Sequence, residues 1–146
     1  HVVCRRQRQM CIRDRVIALI QATSAGADEA LMLDPTGAVA TCNATNFFIF
    51  DRDGLHTATG QYNLNGITSE LVCEVAEAAG IPVHRHAFSL TDVYAADEAF
   101  VTGTFGGLTP VHTIDGRTIG TGEQGPMTIR LRELYEAAIE ADVAGR

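Results

Sequence analysis

Apolar residues recur at the spacing of one helix face near the middle of the chain. They are Leu71, Val72, Val75, Ala78 and Ala79. Thr68 precedes them and is a good N-cap, so the pattern predicts a helix that begins at Thr68. Gly80 can adopt the left-handed conformation that often follows the last helical turn, and Pro82 prevents the helix from continuing. The pattern therefore predicts both ends of this helix.

The start of this helix is a candidate anion site. Gly66 and Ile67 precede Thr68, and the first backbone N–H groups of a helix have no acceptor within the helix. Together with the Thr68 hydroxyl they favour an anion, most often a phosphate. An ordinary capped surface helix has the same pattern, so this stretch alone favours the structural interpretation.

Short apolar strands separated by turn signals make up most of the remaining chain. The predicted strands are residues 30–34, 39–41, 46–50, 55–57, 83–88, 98–102, 108–114 and 117–119. Helices are predicted to end at Gly26, to follow a capping box at Ser89 and Asp92, and to begin at Gly125. This order predicts a mixed α/β (α+β) domain with many hairpins and no doubly wound sheet.

A second glycine-rich turn follows the predicted strand 98–102. Its sequence is Gly103-Thr104-Phe105-Gly106-Gly107. Glycines allow backbone N–H groups to approach an oxyanion closely, so this turn could bind a phosphate oxygen or a carboxylate. The alternative is that the glycines only reverse the chain.

Composition and charge exclude several partners. The chain has 146 residues, enough for one domain with a substantial core, and a formal charge of −7. Such an acidic chain repels nucleic acid and anionic membranes, and no apolar run has the length of a transmembrane helix. All eleven basic residues are arginine, so the chain contains no lysine.

The first fifteen residues differ from the rest, with five arginines against one aspartate. The apolar run that follows them is too short for a signal peptide, and a nucleic-acid arm would precede an acidic domain. Residues 10–15 resemble a translated adapter from a sequencing library. We therefore predict that residues 1–15 are non-native and that residues 16–146 are the natural part, truncated at about Val16.

The cysteines and histidines offer little chemistry. Cys42 and Cys73 have neither disulfide nor zinc spacing, which favours a reduced, cytoplasmic protein. His84 and His86 alternate along a predicted strand and could supply two metal ligands, but no third ligand is evident. A solvated strand face is the favoured interpretation, and no metal is predicted.

Several of these stretches together resemble the class IV aminotransferases. The matching stretches are residues 26–34, 46–49, 64–68, 96–100, 103–104, 109–111 and 125–128. These fold-type IV pyridoxal-phosphate enzymes include branched-chain and D-amino-acid aminotransferases and aminodeoxychorismate lyase, and the branched-chain branch is nearest. The resemblance covers the family's C-terminal half. It implies the large C-terminal domain of the D-amino-acid aminotransferase-like fold.

The resemblance also implies roles for eight residues. Ile67, Thr68 and Thr104 would bind the phosphate of pyridoxal 5'-phosphate, and Leu64 would pack against its ring. The full set of cofactor contacts is Thr41, Leu64, Gly66, Ile67, Thr68 and Thr104, with substrate-carboxylate contacts at Phe105 and Gly106. The substrates would be an amino acid and a 2-oxo acid, and the family's usual homodimer is expected.

Two departures from the family pattern affect the expected activity. Thr41 occupies the position of the family's glutamate, which keeps the pyridine nitrogen protonated, and a hydroxyl cannot stabilise that charge equally. The family's Schiff-base lysine should fall within residues 1–15, where none is present. The chain as it stands is therefore predicted to be an inactive fragment. A lyase acting on aminodeoxychorismate and a non-catalytic binding module on the same fold are the alternatives.

Overall fold

A computed structural model describes the backbone of residues 2–145 and the side chains of residues 12–145. The helices are α1 Val2–Ser24, α2 Ile67–Ala78, α3 Leu90–Ala95 and α4 Pro126–Ala144. The strands are β1 Leu31–Leu33, β2 Val39–Cys42, β3 Asn46–Asp51, β4 Gly54–Thr57, β5 Val83–Arg85, β6 Glu98–Gly103, β7 Gly107–Pro110, β8 Thr113–Ile114 and β9 Arg117–Thr118. The mixed α/β class predicted from the sequence is confirmed.

The central sheet has five strands in the order β5-β4-β3-β6-β7. Its pairs are antiparallel except for β4 and β5, which are parallel and joined through α2. Strands β1 and β2 form one small hairpin, and β8 and β9 form another. The sheet places the N-terminus of β3 beside the C-terminus of β6, because Asn46 pairs with Thr102.

Both faces of the central sheet are buried. On one face Phe48 and Phe100 stack in parallel with their ring centroids 5.0 Å apart, beneath α2 and α4. On the other face Phe47, Ile49 and Val101 pack into a second apolar cluster with α3 and the β8–β9 hairpin. Alternating residues of β3 and β6 therefore belong to different clusters, as the two-residue period of a strand requires.

Helix α2 begins one residue after Gly66, so the prediction that Thr68 is its N-cap is wrong. Gly66 is extended (φ −72°, ψ 136°), and its carbonyl oxygen accepts the first helical hydrogen bond from the Glu70 N–H at 3.0 Å. Thr68 consequently lies inside the first turn. The predicted C-terminal end is confirmed, since Gly80 has a φ of +75°.

The short helix and the last helix are capped as their sequences predict. The Ser89 and Asp92 side chains of α3 form a capping box. Gly125 is the N-cap of α4, and the Glu98 carboxylate accepts hydrogen bonds from the backbone N–H groups of Met127 and Thr128 at 2.9 and 2.8 Å. Glu98 thereby joins the start of β6 to the start of α4.

Two predicted strands are shorter in the structure. Strand β5 ends at Arg85 because the chain then turns toward β2, where the Val39 N–H donates to the Phe88 carbonyl oxygen at 2.8 Å. The predicted strand 108–114 divides after Pro110, which has no N–H to continue a ladder. No helix in the described part of the chain is long and apolar enough to cross a membrane.

Candidate functional site

A cavity of about 140 Å³ opens where the N-terminus of α2 meets the first residue of β3 and the end of β6. Six residues predicted from the sequence line it: Thr41, Leu64, Gly66, Ile67, Thr68 and Thr104. Both glycine-bearing turns therefore reach one site, although they are more than thirty residues apart in the chain. The sheet causes this convergence, since it pairs β3 with β6 directly beside the cavity.

The first turn of α2 presents unpaired backbone donors to the cavity. The N–H groups of Ile67 and Thr68 have no acceptor within the helix, because the first helical bond starts at Glu70. Among the residues that the structure describes, no side chain caps this end. The aligned peptide dipoles add partial positive charge, so the arrangement suits an anion.

Asn46 fixes the loop that leads into α2. Its side chain is buried (8% exposed), and its Nδ2 donates to the Leu64 carbonyl oxygen at 2.8 Å. A Cβ at position 66 would overlap Asn46 Oδ1, so only glycine allows this close approach. The sequence did not identify Asn46 as a site residue, although it lies in a stretch that resembles the family.

Thr41 lies on the cavity wall with its hydroxyl already engaged. The residue is 2% exposed, and its Oγ1 donates to the Thr45 carbonyl oxygen at 2.9 Å. A hydroxyl has one hydrogen, so Thr41 Oγ1 can offer only lone pairs to a ligand.

Thr102 contributes a buried hydroxyl that has no hydrogen-bond partner within the described part of the chain. The residue is 2% exposed and lines the cavity beside Gly103. Buried hydroxyls are normally paired, and leaving one unpaired costs about 1–3 kcal/mol. A ligand that accepts from Thr102 Oγ1 would remove this cost. Sequence reasoning missed Thr102, because an unpaired hydroxyl is visible only in three dimensions.

The two predicted substrate contacts are outside the cavity wall. Phe105 is fully exposed at the tip of the turn between β6 and β7, and Gly106 lies next to it. The Gly106 carbonyl oxygen is 3.5 Å from Thr109 Oγ1. The structure therefore brings Thr104 to the cavity and places Phe105 and Gly106 at its outer edge.

A second polar region, the histidine cluster, consists of Asp51, His56, His84 and His86. His56 Nε2 is 2.8 Å from Asp51 Oδ1, and His56 Nδ1 is 2.8 Å from His86 Nε2. The His84 ring stacks on His56 with centroids 4.8 Å apart. Sequence reasoning placed His84 and His86 on a solvated strand face. It missed the buried His56, which contacts both.

Charges around the histidine cluster fix its hydrogen bonds. Partial burial alone would raise the pKa of Asp51, but hydrogen bonds from the Asp53 N–H and from His56 outweigh it and lower the pKa. The ionised Asp51 accepts from His56 Nε2, so neutral His56 accepts at Nδ1 from His86 Nε2. Among residues 12–145, no group of three or more potential ligands is arranged to hold a metal ion.

The two described cysteines are buried and unreactive. Burial raises the pKa of the Cys42 thiol to about 12 and that of Cys73 to about 11. Both thiols therefore stay protonated at neutral pH, and neither is suited to nucleophilic chemistry.

Comparison with known proteins agrees with this geometry. The model of the Amino-transferase class IV family matches residues 6–114. A branched-chain-amino-acid aminotransferase of Pseudomonas aeruginosa is 42% identical over 120 residues, which is 82% of this chain and 39% of that protein. A D-alanine aminotransferase of Listeria monocytogenes is 39% identical over 98 residues, 66% of this chain and 34% of that protein.

A solved structure shows the same relationship in three dimensions. The branched-chain amino acid aminotransferase of T.th. superimposes with a TM-score of 0.83 at 39% identity, covering 88% of this chain and 43% of that one. It has been solved with pyridoxamine 5'-phosphate and with N-(5'-phosphopyridoxyl)-L-glutamate. This chain spans about two fifths of the length of these branched-chain relatives. With its family match, its relatives and its fold in agreement, the chain belongs to the class IV aminotransferases.

Proposed function

We infer that residues 16–146 form the cofactor-binding domain of a pyridoxal-phosphate-dependent aminotransferase. The complete enzyme would transfer an amino group between a branched-chain amino acid and a 2-oxo acid. It would act as a cytoplasmic homodimer, with residues 1–15 of this chain non-native. The observation that carries the proposal is the cavity, where an uncapped helix start and several threonine hydroxyls face one small space.

The residues on the cavity wall fit a phosphate-bearing cofactor. The backbone N–H groups of Ile67 and Thr68 would donate to the phosphate, and the hydroxyls of Thr68 and Thr104 would add two more donors. Gly66 permits this approach, since a side chain there would overlap Asn46. The unpaired hydroxyl of Thr102 is a further donor that the bound group would satisfy.

At the other side of the cavity, Thr41 and Leu64 would contact the ring. Thr41 Oγ1 can only accept, because its hydrogen is given to Thr45, and this suits a ring nitrogen that carries a proton. The exposed Leu64 side chain (64% exposed) provides an apolar surface at the rim. When bound, pyridoxal phosphate supplies an electron sink for bond cleavage next to an amino group.

This chain by itself is proposed to bind the cofactor without catalysing transfer. It contains no lysine, so no side-chain amine can bond covalently to the cofactor or move a proton on the substrate. The relatives that it matches are more than twice its length. The complete enzyme is therefore proposed to carry the lysine in sequence that corresponds to residues 1–15 or precedes it.

Thr68→Ala tests the cofactor site directly. We expect the affinity of this chain for pyridoxal phosphate, measured by calorimetric titration, to fall about tenfold, because one hydroxyl donor to a charged group is lost. The melting temperature should change little, since Thr68 is not the N-cap. Thr68→Ser should retain most of the affinity.

Thr121→Ala is the matched control, because Thr121 is exposed and distant in sequence from the cavity residues. An affinity unchanged by Thr68→Ala would remove Thr68 from the phosphate site. For the complete enzyme, transfer from L-leucine should exceed transfer from D-alanine. The reverse order would place the protein with its D-alanine aminotransferase relatives.

A further inference from the structure

The cavity carries positive charge in an otherwise acidic chain. The formal charge of the chain is −7. Of the described residues that line the cavity, only Arg15 has a charged side chain. No carboxylate belongs to the wall, so the guanidinium and the α2 N-terminus act on the enclosed space without an opposing charge there.

Arg15 has no carboxylate partner within 4.0 Å among the residues that the structure describes. Its Nη1 is 3.5 Å from the Asn43 carbonyl oxygen, at the outer limit of a hydrogen bond. Glu29 belongs to the same region, but its Oε1 already accepts from the Ala44 N–H and the Thr45 hydroxyl at 2.9 Å each. Arg15 therefore retains donors for a ligand, and a guanidinium presents five of them in a planar fork suited to phosphate.

Two independent features of the wall also point to an anion. The first turn of α2 is uncapped among the described residues. Thr102, on a different strand, has a buried hydroxyl without a partner in the part of the chain that the structure describes. A single bound group that accepts hydrogen bonds would satisfy the guanidinium, the helix N–H groups and this hydroxyl together.

We propose that Arg15 is the residue that retains a phosphate-bearing ligand in this cavity by ion pairing, in a chain that has no lysine to bind it covalently. The inference rests on the proposed function of the cavity. It concerns the chain as it stands, because Arg15 is the last residue of the segment predicted to be non-native. The binding is reversible and involves no change of covalent bonds.

Arg15→Gln tests the proposal in the whole chain. Calorimetric titration with pyridoxal phosphate and with inorganic phosphate should show about tenfold weaker binding or more, since a charge-assisted contact is lost. Titration with pyridoxal, which has no phosphate, should give the same affinity before and after the substitution. Arg52→Gln is the matched control, because Arg52 lies exposed in the β3–β4 turn and makes the same change in net charge.

The outcomes separate this inference from the proposed function. Unchanged phosphate affinity in Arg15→Gln, with the loss in Thr68→Ala intact, would overturn the role of Arg15 and leave the cavity as the cofactor site. An equal loss for pyridoxal and pyridoxal phosphate would also overturn it, because the charge would then not act on the phosphate. If neither variant changes the affinity, both proposals fail. Melting temperatures of the variants show that each is folded.

Discussion

The cavity and the histidine cluster lie at opposite ends of one strand and use their polar groups in opposite ways. Asn46 begins β3 and lines the cavity, whereas Asp51 ends β3 and binds His56. Five residues separate them, about 17 Å of extended chain. Both regions are rich in hydrogen-bonding groups, yet only the cavity has donors left unpaired among the described residues.

The difference shows why density of polar side chains is a poor guide to a binding site. In the histidine cluster each bonding group of His56 is matched inside the protein, one nitrogen to Asp51 and the other to His86. In the cavity, the first N–H groups of α2 and the hydroxyl of Thr102 have no internal acceptor within the described chain. Satisfied groups stabilise the fold, and unsatisfied groups can bind a ligand.

Removing the centre of the histidine cluster should have the largest effect on stability. His56→Ala should lower the free energy of unfolding by about 2–3 kcal/mol, because it leaves a buried space and unpairs Asp51 and His86. Urea unfolding measures this change. Affinity for pyridoxal phosphate should be unchanged in the folded variant.

His112→Ala is the control for that substitution. His112 is exposed, so the change should stay within about 0.5 kcal/mol. If His56→Ala were as stable as the parent chain, the cluster would not be the stabilising network described above.

A side chain at position 66 should affect the cavity instead. Gly66→Ala would overlap Asn46 Oδ1 and disturb the bond from Asn46 to Leu64. We expect a loss of about 1–2 kcal/mol in stability from this overpacking and a larger loss in binding, at least tenfold for pyridoxal phosphate. Calorimetry and urea unfolding of the same sample measure the two effects.

Gly145→Ala is the matched control, since position 145 has a φ of −84° and a Cβ there meets its nearest neighbour at 3.4 Å. It should change neither binding nor stability appreciably. Full cofactor affinity in Gly66→Ala would contradict the close approach of the loop to Asn46.

The smallest expected effect is on the pH dependence of stability. The folded pKa of Asp51 lies below its ordinary value of 3.8, since hydrogen bonds to the ionised form outweigh its partial burial. The resulting stability is complete above that ordinary value and is lost as the pH falls through the lowered folded pKa. Because Asp51 is 39% exposed, solvent screening limits the contribution to about 1 kcal/mol or less.

Asp51→Asn should therefore flatten the decline in unfolding free energy between pH 5 and pH 3. Asp92 contributes in the same direction, since hydrogen bonds from the Ser89 backbone and hydroxyl lower its pKa. Asp92→Asn serves as the comparison from outside the cluster. An identical slope in the parent chain and Asp51→Asn would show that Asp51 does not favour its ionised form in the folded state.

Local sequence signals were enough for most of the secondary structure and for the two glycine-bearing turns. The ends of α2 and α4 follow from Gly66, Gly80 and Pro126, whose backbone preferences act over a few residues. The N-cap of α2 was misplaced because Thr68 is a better capping side chain than glycine by propensity alone. Contact with Asn46, which lies far from the helix in the chain, requires glycine at position 66.

The resemblance to the class IV aminotransferases indicated which residues should meet, but it covered only residues with a family role. Thr102 and Asn46 became site residues through strand pairing, and Arg15 through the placement of α1 beside residue 43. His56 similarly gained its importance from β4 lying next to β5. Each of these relations joins residues far apart in the chain, where no local pattern records the contact.

The sequence by itself determined the family, the order of the elements and the absence of lysine, because these depend on residue identity and short-range preference. Only the tertiary structure decided which polar groups remain unpaired. Whether a donor has a partner depends on every neighbour that the fold brings within about 3 Å of it. For that reason the histidine cluster proved to be internally satisfied, and the threonine-lined cavity retained donors for a ligand.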